Sequence, residues 1–238
     1  MHHRFKTLLA TAALLGATSG AQAVVIGTAT PNTGNCFPFG CTYWLPTYQQ
    51  VYNASAFTGA FDITALSFYR TQFAGGSNTP LTGQFTFSLS TTSAAADGLS
   101  ASALANIGAD ASTVYSGALS ANVPFGTRMD ILFDTAFHYD PGLGNLLLTL
   151  TANGSPGSVG NLFFDAATAS GDATSRLAAN GSRDTLGLVT GFNEVAHQAP
   201  APSANLEALP QANVPEPTTL ALLAVAGAGL VSTRRMRR

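Results

Sequence analysis

Gly83-Gln84-Phe85-Thr86-Phe87-Ser88-Leu89-Ser90 places an apolar side chain at every second position across its middle. Phe85, Phe87 and Leu89 fall on one side of an extended chain and Thr86 and Ser88 on the other, the period of a strand buried on one face. The same period recurs on both sides of this stretch. Downstream, Asn145 to Ala152 sets Leu146, Leu148 and Leu150 against Leu147, Thr149 and Thr151, and Leu162, Phe164 and Ala166 form a further set. Upstream, Phe57 to Arg70 is rich in β-formers, but Ile63, Leu66 and Phe68 break strict alternation, which predicts a bulge or a bend between two short strands. Val24 to Thr30, Thr113 to Leu119, Met129 to Phe133, Ala136 to Asp140 and Leu186 to Phe192 read as the remaining strands.

About eight short strands separated by Gly, Pro and Asn turns predict two packed antiparallel sheets, an all-β sandwich of jelly-roll type. A β-helix is the structural alternative, although no fixed-period repeat is visible. One stretch departs from the pattern. Between Ala94 and Ser112, Leu99, Ala103, Leu104 and Ile107 recur at near-helical spacing with Asp97 placed as an N-cap, predicting a short helix across one edge of the sheets.

Both ends of the chain read differently from its body. Arg4 and Lys6 precede the apolar stretch Leu8 to Leu15, and Ala21-Gln22-Ala23 offers small residues at both positions that a signal peptidase reads. Residues 1–23 are therefore predicted to be a signal peptide, cleaved after Ala23. At the other end, Val214-Pro215-Glu216-Pro217 is followed by an uncharged run, with Leu220 to Val231 rich in Leu, Val and Ala, and then by Arg234, Arg235, Arg237 and Arg238. The prolines hold the entry to this segment extended, the apolar run can enter hydrocarbon as a helix, and the arginines stop it on the cytoplasmic side. Between body and tail, residues 199–213 turn to Ala, Pro and polar residues and read as a flexible stalk.

These three parts, in this order, resemble the PEP-CTERM sorting signal of Gram-negative bacteria. The resemblance covers residues 214–238: Val214, Pro215, Glu216 and Pro217 match the naming motif, the apolar run its transmembrane helix, and the four arginines its basic tail. It implies that an exosortase recognises and removes the tail, with the protein held transiently at the inner membrane and then delivered to the cell surface or the exopolysaccharide and biofilm matrix. A permanent membrane anchor is the alternative reading of the same residues, but a spanning helix needs roughly 17 to 25 residues and this run sits at the lower bound. Phe137 to Leu148, with its Asp140-Pro141-Gly142 turn, also resembles a strand-turn-strand phrase of PEP-CTERM extracellular domains.

The exported body is then residues 24–198 plus the stalk. Without the two ends, residues 24–213 keep four arginines, no lysine and eleven acids, a net charge of −7. Nucleic acid is excluded as a partner, because nothing can neutralise a run of phosphates. Cys36 and Cys41, the only cysteines, are read as a disulfide in an oxidising compartment, with Pro38 and Gly40 turning the loop; a metal pair or a redox dithiol is the functional alternative.

Catalytic motifs are missing from the sequence: there is no G-x-S-x-G elbow, no H-E-x-x-H and no phosphate-binding glycine loop. His138 and His197 read as a strand histidine and a solvated one. Asp130, Asp134 and Asp140 lie close in sequence and Asp165 and Asp172 fall in a second loop region, the carboxylates considered for a facing glycosidase pair or a Ca²⁺ site, and aspartates beside turns mostly bond local backbone. No catalytic, cofactor or metal residue is assigned. Tyr43, Trp44 and Tyr48 are the candidate sugar contacts, as apolar planes for pyranose faces; burial at one end of the sandwich competes with that reading. The expectation is an exported, non-catalytic structural or glycan-binding protein, with a secreted glycan-active enzyme as the other class.

Overall fold

The structure, a computed structural model, describes residues 22–40, 47–71, 80–153, 162–178 and 181–195. The fold is an antiparallel β-sandwich. One sheet has the order β1 (Val24–Ile26), β13 (Thr190–Phe192), β4 (Phe61–Tyr69), β7 (Arg128–Tyr139). The facing sheet runs β11 (Arg183–Asp184), β10 (Thr174–Leu177), β3 (Thr47–Tyr52), β8 (Asn145–Ala152), β5 (Leu81–Thr92), β6 (Ser112–Ala121). A small ladder of β12 (Gly187–Leu188), β9 (Phe164–Ala167) and β2 (Gly34–Asn35) lies beside them. From β3 to β8 the chain passes from sheet to sheet at every step except the β5–β6 hairpin, the alternation that a jelly roll requires.

The core is the slab between the sheets. Phe61, Ile63, Leu66 and Phe68 of β4 and Met129, Ile131 and Phe133 of β7 meet Phe85, Phe87 and Leu89 of β5 and Leu146, Leu148 and Leu150 of β8. Burial of these side chains is the main stabilising term, at about 1.5–3 kcal/mol each. Leu147 points the other way, and with Val51, Leu99 and Leu177 forms a second, smaller cluster on the outer face of the large sheet. The segment containing Leu99 is thus a cover for that face. Gln49 holds it by donating to the Ala103 carbonyl at 3.0 Å, while Asn106 donates to Gln49 Oε1 at 2.9 Å and to the Ser100 carbonyl at 3.0 Å.

The predicted short helix is present as a single turn, α1 (Ala103–Asn106); the Asp97 cap is corrected, since the N-cap is Ser102. Asp97 sits at φ +61° and accepts from the Gly171 N–H at 2.9 Å, fastening the cover to the loop before β10. Leu104, assigned to the apolar stripe, is 82 % exposed. Beyond that one turn, the near-helical spacing arises because a folded-over loop lays down only some of its apolar residues.

The broken alternation in Phe57 to Arg70 is a β-bulge inside one strand, where the register with β7 shifts between Ile63 and Ala65. Asn193, at φ +53°, repairs it. Its Oδ1 accepts from the Thr64 and Ala65 N–H groups at 2.8 and 3.3 Å, its Nδ2 donates to the Asp62 carbonyl at 2.8 Å, and its own N–H donates to the Ala65 carbonyl at 3.1 Å. One side chain satisfies backbone groups of β4 where its register with β7 breaks, two steps on β4 facing five on β7. Asn193→Ala is expected to lower stability by about 2–3 kcal/mol, the cost of orphaning buried donors. Urea denaturation measures this; a loss below about 0.5 kcal/mol would mean that water serves the bulge equally well.

Candidate functional site

Four segments distant in sequence meet at the end of the sandwich where β4 stops. The loop after β1 brings Thr30 and Asn32, the end of β4 brings Tyr69, Arg70 and Thr71, the β6–β7 turn brings Gly126 and Thr127, and β9 brings Asp165. Together they enclose a cleft of about 370 Å³. Each wall is held by backbone hydrogen bonds. Thr30 N–H donates to the Ala166 carbonyl at 2.9 Å and Thr33 N–H to the Thr30 carbonyl at 3.0 Å, so Asn32 is presented at the tip of a tight turn with φ +59°. Across the cleft, Arg70 N–H donates to the Thr127 carbonyl at 2.7 Å and Gly126 N–H to the Arg70 carbonyl at 3.2 Å, which pins the Pro124–Thr127 turn to the end of β4. Gly126 has φ +72°, a conformation that a side chain would strain.

That turn carries Phe125, whose ring is 39 % exposed. The Arg70 guanidinium lies 4.5 Å from the ring centroid and is itself only 1 % exposed. The guanidinium plane therefore backs the ring from inside while the rest of the ring faces solvent. A desolvated cation over an aromatic face is worth about 2 kcal/mol. Burial pulls the Arg70 pKa below the ordinary guanidinium value, and at neutral pH the group is still charged.

Behind the cleft, on the outer face of the four-stranded sheet, a polar chain fixes Tyr69. Its hydroxyl donates to Glu194 Oε2, Glu194 Oε1 lies 3.6 Å from Arg128, Arg128 pairs with Asp130 at 2.8 Å, and Ser67 donates to Asp130 at 2.6 Å. Burial first, and the Glu194 carboxylate second, raise the Tyr69 pKa above the ordinary phenol value, so it is a hydrogen-bonding group and not a base. A second hollow of about 560 Å³ shares Ala29, Thr30 and Pro31 with the cleft, but Val25, Ile26 and Ala167 make its wall more apolar.

The sequence-predicted site residues are dispersed. Tyr48 is corrected: it is 1 % exposed, its hydroxyl donates to Gln50 Oε1 at 2.6 Å, and its ring belongs to the core, so no sugar can reach it. It points inward because β3 is covered on both faces. Tyr43 and Trp44 lie outside the described residues. The aspartates do not converge: Asp130 is paired with Arg128, Asp140 accepts from the Gly142 N–H at 2.8 Å, Asp172 accepts from the Thr174 N–H at 2.8 Å, and Asp165 alone faces the cleft. Among the described residues no group of three His, Cys, Asp or Glu could hold a metal ion. His138 Nδ1 lies 2.7 Å from Asp62 on the surface, and His197 is outside the described residues. Phe125, Asn32 and Thr127 were not singled out from sequence. The available signal was Pro124-Phe125-Gly126-Thr127, in which a large ring inside a turn has no strand face to hide behind.

Cys36 is disulfide-bonded, and Cys41, the chain's only other cysteine, lies outside the described residues. Ala23 is exposed and stands directly before β1, whose first residue is Val24; Ala21 is outside the described residues. Among the described residues no helix is long and apolar enough to cross a membrane, and Val214 to Arg238, with the motif residues Val214, Pro215, Glu216 and Pro217 and the arginines Arg234, Arg235, Arg237 and Arg238, lie outside them. Residues 213–238 match the PEP-CTERM protein-sorting motif. No curated protein matches the chain.

Proposed function

We propose that this PEP-CTERM protein is released from its sorting tail by an exosortase and retained at the cell surface or in the exopolysaccharide matrix, where its sandwich binds glycan without cleaving it. Exosortase-dependent sorting of an exported protein follows from the motif at residues 213–238. Glycan retention is supported by the end-of-sheet cleft, where Asn32, Thr127 and Asp165 can bond sugar hydroxyls, and by Phe125 on the turn that supplies Gly126 and Thr127 to it. Its part-exposed ring offers an apolar plane to a sugar face. Among the described residues the cleft holds a single carboxylate, whereas glycoside hydrolysis by either usual geometry employs two. That arrangement favours binding over the alternative of a secreted glycan-active enzyme. Signal peptidase is the expected partner at Ala21 and Ala23.

Incubating the purified protein with the extracellular polysaccharide of the producing cell separates the readings. Retention without loss of polymer length is the expected result, and depolymerisation would replace it with the enzyme reading. Phe125→Ala should weaken retention by roughly tenfold, on the scale of one aromatic stacking contact. Retention unchanged by that substitution would place the contact elsewhere.

A further inference from the structure

We propose that the apolar hollow beside the cleft is a second subsite of the same glycan site, taking a neutral 6-deoxy sugar while the cleft holds its hydroxyl-rich neighbour, a reading that presupposes glycan in the cleft. The hollow, of about 560 Å³, lies between the loop that leaves β1 and the loop that joins β9 to β10. Ala29, Thr30 and Pro31 of the first loop line both the hollow and the cleft. The two therefore meet along a three-residue ridge, and one oligosaccharide chain can lie across it. Volumes of about 370 and 560 Å³ are each in the range of pockets that enclose a small molecule.

The wall decides what the hollow can hold. The side chains of Val25, Ile26, Ala56, Ala167 and Ala173 offer it only apolar groups. Val25 is 47 % exposed, an apolar side chain that a ligand would take out of water. Sugar hydroxyls pressed against such a wall lose their water and gain no partner, whereas a methyl group has no hydrogen bond to lose. A 6-deoxy sugar carries a methyl where an ordinary hexose carries a hydroxymethyl, so it can turn that methyl to the wall and its hydroxyls outward. Thr30 and Thr168 lie hydroxyl to hydroxyl at 3.1 Å and tie the two loops together. One of the two hydroxyl protons makes that bond, and the other can go to a ring hydroxyl of the sugar.

Charge restricts the ligand further. Asp172, also on the wall of the hollow, accepts through Oδ1 from the Thr174 N–H at 2.8 Å, but its Oδ2 is buried without a hydrogen-bond partner. The negative charge is therefore compensated on one oxygen only, beside an apolar wall that screens it less than water would. Asp165 stands in the cleft, and Arg70, the one cation there among the described residues, is 1 % exposed and turned to the Phe125 ring. A uronic acid or any other anionic sugar would meet like charge in hollow and cleft alike, and residues 24–213 surround it with a net charge of −7. A neutral, methyl-bearing sugar escapes that repulsion.

Competition for retention on the producing cell's extracellular polysaccharide tests the subsite, with the full-length chain in detergent and free sugars as competitors. L-rhamnose and L-mannose differ only in bearing a methyl or a hydroxymethyl group at one carbon, as do L-fucose and L-galactose. In at least one pair the 6-deoxy sugar should release the protein at a roughly tenfold lower concentration than its partner. D-glucuronate, with a carboxylate at that carbon, should release it no better than the hydroxylated sugars. Val25→Asp puts a charge on the exposed wall, and Ala169→Trp fills the hollow from an exposed position on its rim; each should erase the preference. Equal potency within both pairs, release by D-glucuronate at the concentration of the 6-deoxy sugar, or a preference that survives either variant would overturn the subsite. Absence of retention by the unsubstituted protein would remove the glycan reading of the cleft, and the subsite with it.

Discussion

Phe39→Ala is expected to lower the stability of the sandwich by about 3–5 kcal/mol, the range for deleting a buried ring from a packed core. Phe39 belongs to no strand. It sits in the short loop that begins at the disulfide-bonded Cys36, and yet it is 1 % exposed. Its ring reaches both sheets: the centroids of Phe68 on β4 and Phe164 on β9 lie 5.2 and 5.3 Å away edge-on, and those of Phe85 and Phe87 on β5 lie 5.9 and 6.4 Å away. The loop thus delivers a plug to the seam between the sheets. Gly40 lets it do so, because a Cβ there would fall on the Leu162 backbone. Strand backbones constrain the surrounding rings, so the hole left by alanine would close only in part. Urea unfolding under oxidising conditions measures the loss, and Cys36→Ser provides the comparison at about 2 kcal/mol for a loop of this size. If Phe39→Ala cost less than Cys36→Ser, the loop would be held by its bridge and not by its ring.

How much of this was readable in the sequence depends on where each residue finds its partners. Gly83–Ser90 and Asn145–Ala152 announced their strands because one face of each meets the core and the other carries small polar residues. Even the consecutive leucines of β8 resolve this way, with Leu146 and Leu148 turned to the slab and Leu147 to the outer cluster. β3 and β10 gave no such signal. Gln49 and Gln50 are fully buried, as are Thr174 and Ser175, and polar residues in sequence suggest a loop. Besides the local bond from Tyr48, Gln50 is satisfied by tertiary structure: its amide donates to the Leu188 carbonyl and accepts from the Leu188 N–H, both at 2.8 Å, replacing one rung of a ladder. Arg176 is buried against Asp184 through two bonds of 2.8 Å, a pairing that no local pattern reveals. Met129 to Phe133 and Ala136 to Asp140 read as two strands but form one, because β7 makes an excursion opposite the bulge in β4. The cleft was illegible for the same reason, since its walls come from chain positions more than a hundred residues apart. The tail was legible because its chemistry is local: prolines, a greasy run and arginines act through their own solvation.

Deleting Thr218–Arg238 should abolish membrane retention entirely while leaving the sandwich folded. Retention rests on the run from Leu220 to Val231, which carries no charge, and on the arginines behind it. Moving one arginine through the bilayer centre costs about 2.5–3.5 kcal/mol on insertion scales, and the cluster Arg234, Arg235, Arg237 and Arg238 makes that passage prohibitive. The body is therefore tethered for as long as the tail is attached, and freed once the chain is cut before it. Folding should survive, because the last described strand ends at Phe192 and its closing contacts come from Asn193 and Glu194, upstream of the deletion. Fractionation and far-UV circular dichroism read the two effects separately, and loss of folding would mean that the core extends past residue 195. In the unsubstituted protein the same logic gives a mass: the mature chain should begin at Val24, where β1 begins, and end near Pro215 to Pro217. Arg238 recovered intact from surface material would instead make the tail a permanent anchor, and the exosortase would lose its role.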